Sequence, residues 1–389
     1  MMKENPIYKL KELAIYFLKL GYSGFGGPVA LVNYMHRDLV EEKKWISEDE
    51  YKEGLALSQL APGPMASQLS IYLGYVHYGI WGATLCGVLF VIPSFIMVLL
   101  LGITYKLYGG LTWMQAVFYG VGAAVIGIIV MSSYKLTIKS VGKINSESFK
   151  KNWLLWIFYS AGILITVITE TESLTLFIAT GLIYMLIKSP PDWIRKPKTI
   201  NTLLIGIVGF WTYDIGTLGK IAWFFTKAGA FVFGSGLAIV PFLHSGVVTE
   251  YHWLNEKEFV DAVAVAMITP GPVVITVAFI GYLVNGVMGA CVAALATFLP
   301  CYLFTIVCAP YFKKYGNNKS IKSFVEGITA SVIGSLVGAV VIIGTRSITD
   351  ITTAIIAVLS ILALIYIKKI QEPYIILISA IIGLILKTI

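Results

Sequence analysis

Apolar residues run through this chain in long blocks, and the charged residues gather in the short gaps between them. Trp81 to Tyr105 and Ile351 to Ile367 are two such blocks, and neither carries the polar face of a helix that meets water. The blocks fall at residues 12–35, 53–78, 80–104, 112–134, 153–169 and 173–188, then 199–218, then 221–247, 259–284, 286–309, 322–344, 351–367 and 372–388. Blocks of that length and composition predict an all-α polytopic membrane protein.

The pattern is written twice. A shift of 208 residues lays Phe17–Pro64 on Phe225–Pro272 without a gap, and about a third of the positions are identical, several times the chance level. Lys19 meets Lys227, His36 meets His244, Trp45 meets Trp253, and Pro62-Gly63-Pro64 meets Pro270-Gly271-Pro272. One deletion changes the shift to 207, after which Pro93 meets Pro300 and Gly127 meets Gly334. The expected organisation is a first repeat at 1–198, a linking transmembrane helix at 199–219 and a second repeat at 220–389. If each copy crosses an even number of times, the single linking crossing inverts the second copy.

Gly26-Gly27-Pro28 and Pro62-Gly63-Pro64 interrupt the first two blocks near their middles. Proline lacks a backbone N–H and clashes with the preceding turn, so continuous spanning helices are not expected there. Each half-block is about 12 residues, or roughly 18 Å of helix, which reaches mid-bilayer but does not cross it. Two broken, re-entrant hairpins per copy fit better than two spans. With that topology and an inside N-terminus, 22 Lys and Arg lie inside and only Lys106, Lys220, Lys257, Arg346 and Lys387 outside. The expected location is a cell inner membrane, with no removable leader, because Lys19 interrupts the apolar part of Met1–Leu20.

Composition narrows the function classes. The chain is 57% hydrophobic and 13% charged, against about 25% charged in soluble domains. The net charge of +8 sits where topology puts it, not in a basic stripe with interleaved aromatics, so no nucleic-acid partner is expected. Cys86, Cys291, Cys301 and Cys308 lie inside apolar blocks without metal-ligand spacing, and the four histidines are scattered. No metal, cofactor or enzymatic nucleophile is expected. Gly24-Phe25-Gly26-Gly27 lacks the strand and the Lys-Ser/Thr of a phosphate loop.

The breaks suggest anion chemistry. A helix that starts at mid-membrane leaves unpaired N–H groups and about half a positive charge at its tip. Pro64 suits the first helical position and Gly63 the turn before it, leaving the amides of Met65, Ala66 and Ser67 free. The expected substrate-binding set is Lys19, Gly26, Gly27, Pro28, Gln59, Pro62, Gly63, Pro64 and Ser67, with Lys227, Gly234, Ser235, Gly236, Pro270, Gly271 and Pro272 as the second half-site. An intramembrane lysine is a functional candidate by default, and this one occurs twice. Lys19 and Glu53 both stand nine residues before a break, as do Lys227 and Asp261, so each copy can form a Lys-carboxylate pair. A structural ion pair, direct anion contact and snorkelling all remain open for these lysines. Protonation of Glu53 or Asp261 would free the lysine and couple anion movement to a proton. His36 and His244 read as interfacial structural residues, and Trp45 and Trp253 as interface anchors.

Lys19-Leu-Gly-Tyr-Ser-Gly-Phe-Gly-Gly-Pro28, Trp45 and Leu57-Ser-Gln-Leu-Ala-Pro-Gly-Pro64, with weaker copies from Lys227 and at Met267–Pro272, resemble the chromate ion transporter family in its fused two-domain form. The resemblance covers residues 10–134 and 220–345. It implies an inner-membrane secondary transporter that exports chromate and confers resistance, with the Phe-Gly-Gly-Pro and Pro-Gly-Pro segments acting in transport. The second copy departs from the pattern, with Gly236 in place of Pro28 and Met267 in place of Gln59, so the first copy is expected to supply most polar contacts. Sulfate or another small dianion satisfies the same groups. A homodimer is compatible with such a chain, and an ion channel or membrane-embedded structural protein is the alternative from another class.

Overall fold

The computed structural model describes residues 7–25, 27–191, 216–232, 236–315, 318–367 and 371–388, all helices and connecting turns. The first copy contains α1 (Leu10–Ser23), α2 (Gly27–His36), a π-helical turn (Arg37–Glu42), α3 (Glu48–Leu60), α4 (Met65–Tyr108), α5 (Thr112–Ser140), a short α6 (Ser146–Lys151), α7 (Trp153–Thr169) and α8 (Leu174–Lys188). The second contains α9 (Gly216–Phe231), a 3-10 turn (Gly236–Ile239), α10 (Val240–His244), a π-helical turn (Ser245–Glu250) and α11 (Glu256–Ile268). A second 3-10 turn (Val273–Ile275) then leads to α12 (Thr276–Tyr315), α13 (Lys319–Ser347), α14 (Ile351–Tyr366) and α15 (Glu372–Thr388). Most of the expected linking helix lies outside the described residues, and its last positions belong to α9.

Among the described residues, four stretches are long and apolar enough to cross a membrane: Met65–Tyr108, Thr112–Ser140, Val273–Phe312 and Lys319–Ser347. Blocks 53–78 and 80–104 divide differently from expectation. The chain breaks at Pro62–Pro64 and then runs as α4 through both blocks, bent at Gly79, whose φ of 58° and ψ of −146° only glycine adopts readily. Gly286 makes the same joint in α12 with φ 58° and ψ −153°.

The copies share local geometry as well as sequence. Ser47 and Glu50 form a capping box on α3, and Asn255 and Glu258 form one on α11, so both helices start on two satisfied backbone donors. His36 Nε2 lies 2.9 Å from Glu48 Oε2, and His244 Nε2 lies 2.8 Å from Glu256 Oε2. Lys44 and His252, also mates, are both left-handed at φ 55° and 50°.

The copies interlock. α5 packs on α14 and α15 of the other copy, and α13 packs on α7 and α8. Glycines set these contacts: a Cβ on Gly127 would run into the Ala357 carbonyl, and one on its mate Gly334 into the Tyr159 carbonyl. Small residues let helix backbones approach closely where lipid supplies no hydrophobic drive to associate. α4 and α12 meet between these layers, with Thr84 Oγ1 2.7 Å from Tyr302 Oη.

Candidate functional site

Both sequence breaks of the first copy are breaks in the structure. α1 ends at Ser23 and α2 begins at Gly27, where φ is 73° and a side chain would meet nothing within 4 Å. α3 ends at Leu60, and Pro64 is the extended N-cap of α4. Gly63, at φ 140°, turns the chain between them, and Gln68 Nε2 donates to the Pro62 carbonyl at 2.8 Å to brace the turn. The first-turn amides of α4, at Met65, Ala66 and Ser67, have no carbonyl inside the helix to pair with.

Each Pro-Gly-Pro turn is stitched to the other copy. The Gly63 amide donates to the Val232 carbonyl at 2.6 Å, and the Gly271 amide donates to the Gly24 carbonyl at 2.8 Å. Gly63 and Gly271 are mates, and so are Gly24 and Val232. Behind the turns stand another mated pair: a Cβ on Gly271 would overlap Ser94 Oγ, and one on Gly63 would lie 3.0 Å from Cys301 Cβ.

A cavity of about 820 Å³ opens beside the first-copy breaks. Pro28, Val29 and Met65 bring the starts of α2 and α4 to its wall, and Ala56, Gln59 and Leu60 bring the end of α3. Opposite them stand Lys135 and Lys139 of α5, Lys188 of α8 and Lys322 of α13, with Glu326 as the one acid among the described lining residues. Lys188 and Lys322 are the electrostatic neighbours of Glu326, which leaves the lining with an excess of positive charge. Two helix N-termini and four ammonium groups line one cavity, an arrangement whose chemistry favours negative charge.

The other expected residues are placed as follows. Lys19 is exposed on α1, whose buried face is Leu13, Phe17, Leu20 and Gly21; helical phase turns Lys19 away from that face, and among the described residues it forms no ion pair. Lys227 stands over the Trp223 ring at 5.6 Å. Asp261 is buried and accepts from Tyr105 Oη of the first copy at 2.8 Å, so the structure does not pair it with Lys227. Glu53 is engaged by Tyr72. Ser67 is fully buried with no hydrogen-bond partner for its hydroxyl, and it lines a separate apolar crevice of about 440 Å³ between α4 and α12 rather than the lysine cavity. Gly26, Gly234 and Ser235 lie outside the described residues. Gly236 is buried against Val273 and Val274, and Pro270, Gly271 and Pro272 are buried with it, so these four residues of the second half-site face no open cavity.

Sequence reasoning assigned the four cavity lysines to topology alone. A signal was available: Lys135 and Lys139, like Lys322 and Glu326, are spaced i,i+4 and share a helix face.

The chain is 61% identical over 384 residues to the chromate transport protein of Cupriavidus metallidurans, covering 98% of this chain and 94% of that one. It is 54% identical to a probable chromate transport protein of Synechococcus elongatus, covering 99% and 98%. It is 30% identical to the chromate transport protein of Pseudomonas aeruginosa, covering 87% and 81%. No solved structure matches the chain. The chromate transporter family model matches twice, at residues 11–186 and 219–384, one match per copy. The chain is a fused two-copy membrane protein and belongs to the chromate transporter family.

Proposed function

We propose that the protein is a secondary transporter that carries chromate, or an oxyanion of the same shape and charge, through the lysine-lined cavity. The observation that carries the reading is the meeting of the α2 and α4 starts with Lys135, Lys139, Lys188 and Lys322 on one cavity. A dianion there meets oriented N–H groups and ammonium groups without having to reorganise water around itself. The names of the relatives supply the substrate, since charge and geometry serve sulfate as well.

In this reading the copies are inverted across the inner membrane, α1–α2 and α3 with the start of α4 are re-entrant hairpins, and the N-terminus lies inside. The support is the positive-inside bias together with the exchanged contacts of Gly63 and Gly271. The cavity then faces the cytoplasm, as an exporter that confers resistance requires. Asp261 and Glu53 are the proposed proton-coupling groups.

Radiolabelled chromate and sulfate uptake into inverted vesicles, with and without a pH gradient, tests the proposal. Saturable chromate uptake that depends on the cavity lysines is expected. Selective cation flux, or uptake indifferent to those lysines, overturns it.

A further inference from the structure

The two copies share much local geometry but differ in conformation around the breaks. Where Val29 is 61% exposed at the cavity, its mate Leu237 is 5% exposed, and where Gln59 is exposed its mate Met267 is 4% exposed. Ala56 lines the cavity, whereas its mate Ala264 is fully buried. The backbone differs in the same sense. α2 starts as an α-helix at Gly27, but the mated segment Gly236–Ile239 is a tighter 3-10 turn, and so is Val273–Ile275 at the start corresponding to α4.

The difference has a specific fastening. Lys139 of the cavity has Arg346 as its mate, at the corresponding end of α13. Arg346 does not stand in open space: one guanidinium nitrogen lies 2.6 Å from both Glu170 oxygens, and the other lies 2.7 Å from Glu256 Oε1. The second oxygen of Glu256 is held by His244 at 2.8 Å. Glu170 belongs to the turn between α7 and α8 and Glu256 to the start of α11, so the clamp ties the first copy to the broken hairpin of the second. On the cavity side the mate Glu48 is exposed and holds His36 and Lys52, with no arginine among the described residues.

We infer that this conformation is one of two end-states, open at the lysine cavity and shut at the equivalent place in the second copy, and that Arg346 with Glu170 and Glu256 is the gate of the shut side. The inference rests on the transport reading and on the inverted copies. Inversion puts the mated places on opposite faces, so exchanging the conformations of the two copies exchanges the open face. In the second state Arg346 lines the cavity, as Lys139 does here, and Ala264 takes the exposure of Ala56. The gate residues act by positioning the copies, and the clamp must break once per cycle, because a state that never opens carries nothing.

The test is accessibility, in a full-length background with the four native cysteines changed to alanine. With Ala56→Cys or Ala264→Cys added, an impermeant maleimide is expected to label the first quickly and the second at least tenfold more slowly. Adding Arg346→Ala is expected to raise labelling at the second position about tenfold and lower it at the first, and Arg346→Lys to restore most of the difference. Continued protection at 264 in both Arg346→Ala and Glu256→Gln overturns the gate. A second arm guards against misfolding: the pair Glu170→Cys and Arg346→Cys, bridged by a short bifunctional methanethiosulfonate, should stop chromate uptake, and reduction should restore it. Full uptake by the cross-linked protein also overturns the gate. Neither labelling result depends on the substrate, so reporter variants that label as expected, beside a wild type that moves no oxyanion, refute the transport reading and not the gate.

Discussion

The Gly63 amide lies 2.6 Å from the carbonyl oxygen of Val232, a bond from the Pro-Gly-Pro turn of one copy to the first broken helix of the other. Its counterpart from Gly271 to Gly24 places the two Pro-Gly-Pro turns in one assembly. The turns are therefore fixed by the opposite copy as well as by their own helices, and changes at either should be felt as lost packing between the copies.

Alanine at Gly271 should be the most damaging of the glycine changes. The residue has φ 95° and its Cβ would overlap Ser94 Oγ, so both backbone and packing oppose the substitution. A loss of about 2–4 kcal/mol is expected, with part recovered in a Ser94→Gly background. Gly27→Ala, at φ 73° but in open space, should cost only about 1 kcal/mol. Thermal unfolding in detergent separates the two.

Removing a cavity lysine should weaken oxyanion capture. Lys139→Ala or Lys188→Ala is expected to raise the apparent KM for chromate about three- to tenfold, which corresponds to roughly 1 kcal/mol at such exposed positions. Lys19→Ala should change it less than about twofold on the same scale. Initial rates of uptake at several chromate concentrations decide between the cavity and the original lysine pair.

Asp261 and Tyr105 form a buried bond between copies, and the two variants should differ. Tyr105→Phe leaves a buried acceptor without its donor, at a cost of about 1–3 kcal/mol. Asp261→Asn keeps the acceptor and removes only the titratable group. If Asp261 couples transport to protons, Asp261→Asn flattens the pH dependence of uptake, and Glu53→Gln does so in parallel. An unchanged profile in both removes the coupling role.

Glu172, in the turn between α7 and α8, carries a buried Oε1 without a hydrogen-bond partner, and burial pushes its carboxyl up to about 8. The folded protein holds this proton over a range where the unfolded chain has lost it. Its contribution to stability is therefore full below the ordinary value of 4.5 and declines as pH rises toward about 8. Wild type should lose thermal stability across that window relative to Glu172→Gln. Parallel melting curves would show the effect to be absent.

Much of this was legible in the residues. Proline and glycine act on the backbone locally, so the breaks at 26–28 and 62–64 could be read without knowing the neighbours. Repetition added the mates. Lys19 was harder to place, because a charge in an apolar block reads as inward-facing, whereas the phase of Phe17, Leu20 and Gly21 turns it to the exposed face of α1. Lys135, Lys139, Lys188 and Lys322 sit at helix ends, where topology alone explains a lysine; only the packing of α5, α8 and α13 gathers them. The partner exchange of α5 and α13 leaves no mark in hydropathy, because the residues it buries are apolar or small like those of the lipid-facing blocks. Glycines such as Gly127 and Gly334 were its trace.

That exchange bears on how the molecule comes apart. Because α5 is covered by α14 and α15, and α13 by α7 and α8, neither half encloses its own apolar surface. A separately synthesised half should be degraded when alone and rescued by co-synthesis of the other, and the intact chain should melt in one cooperative step.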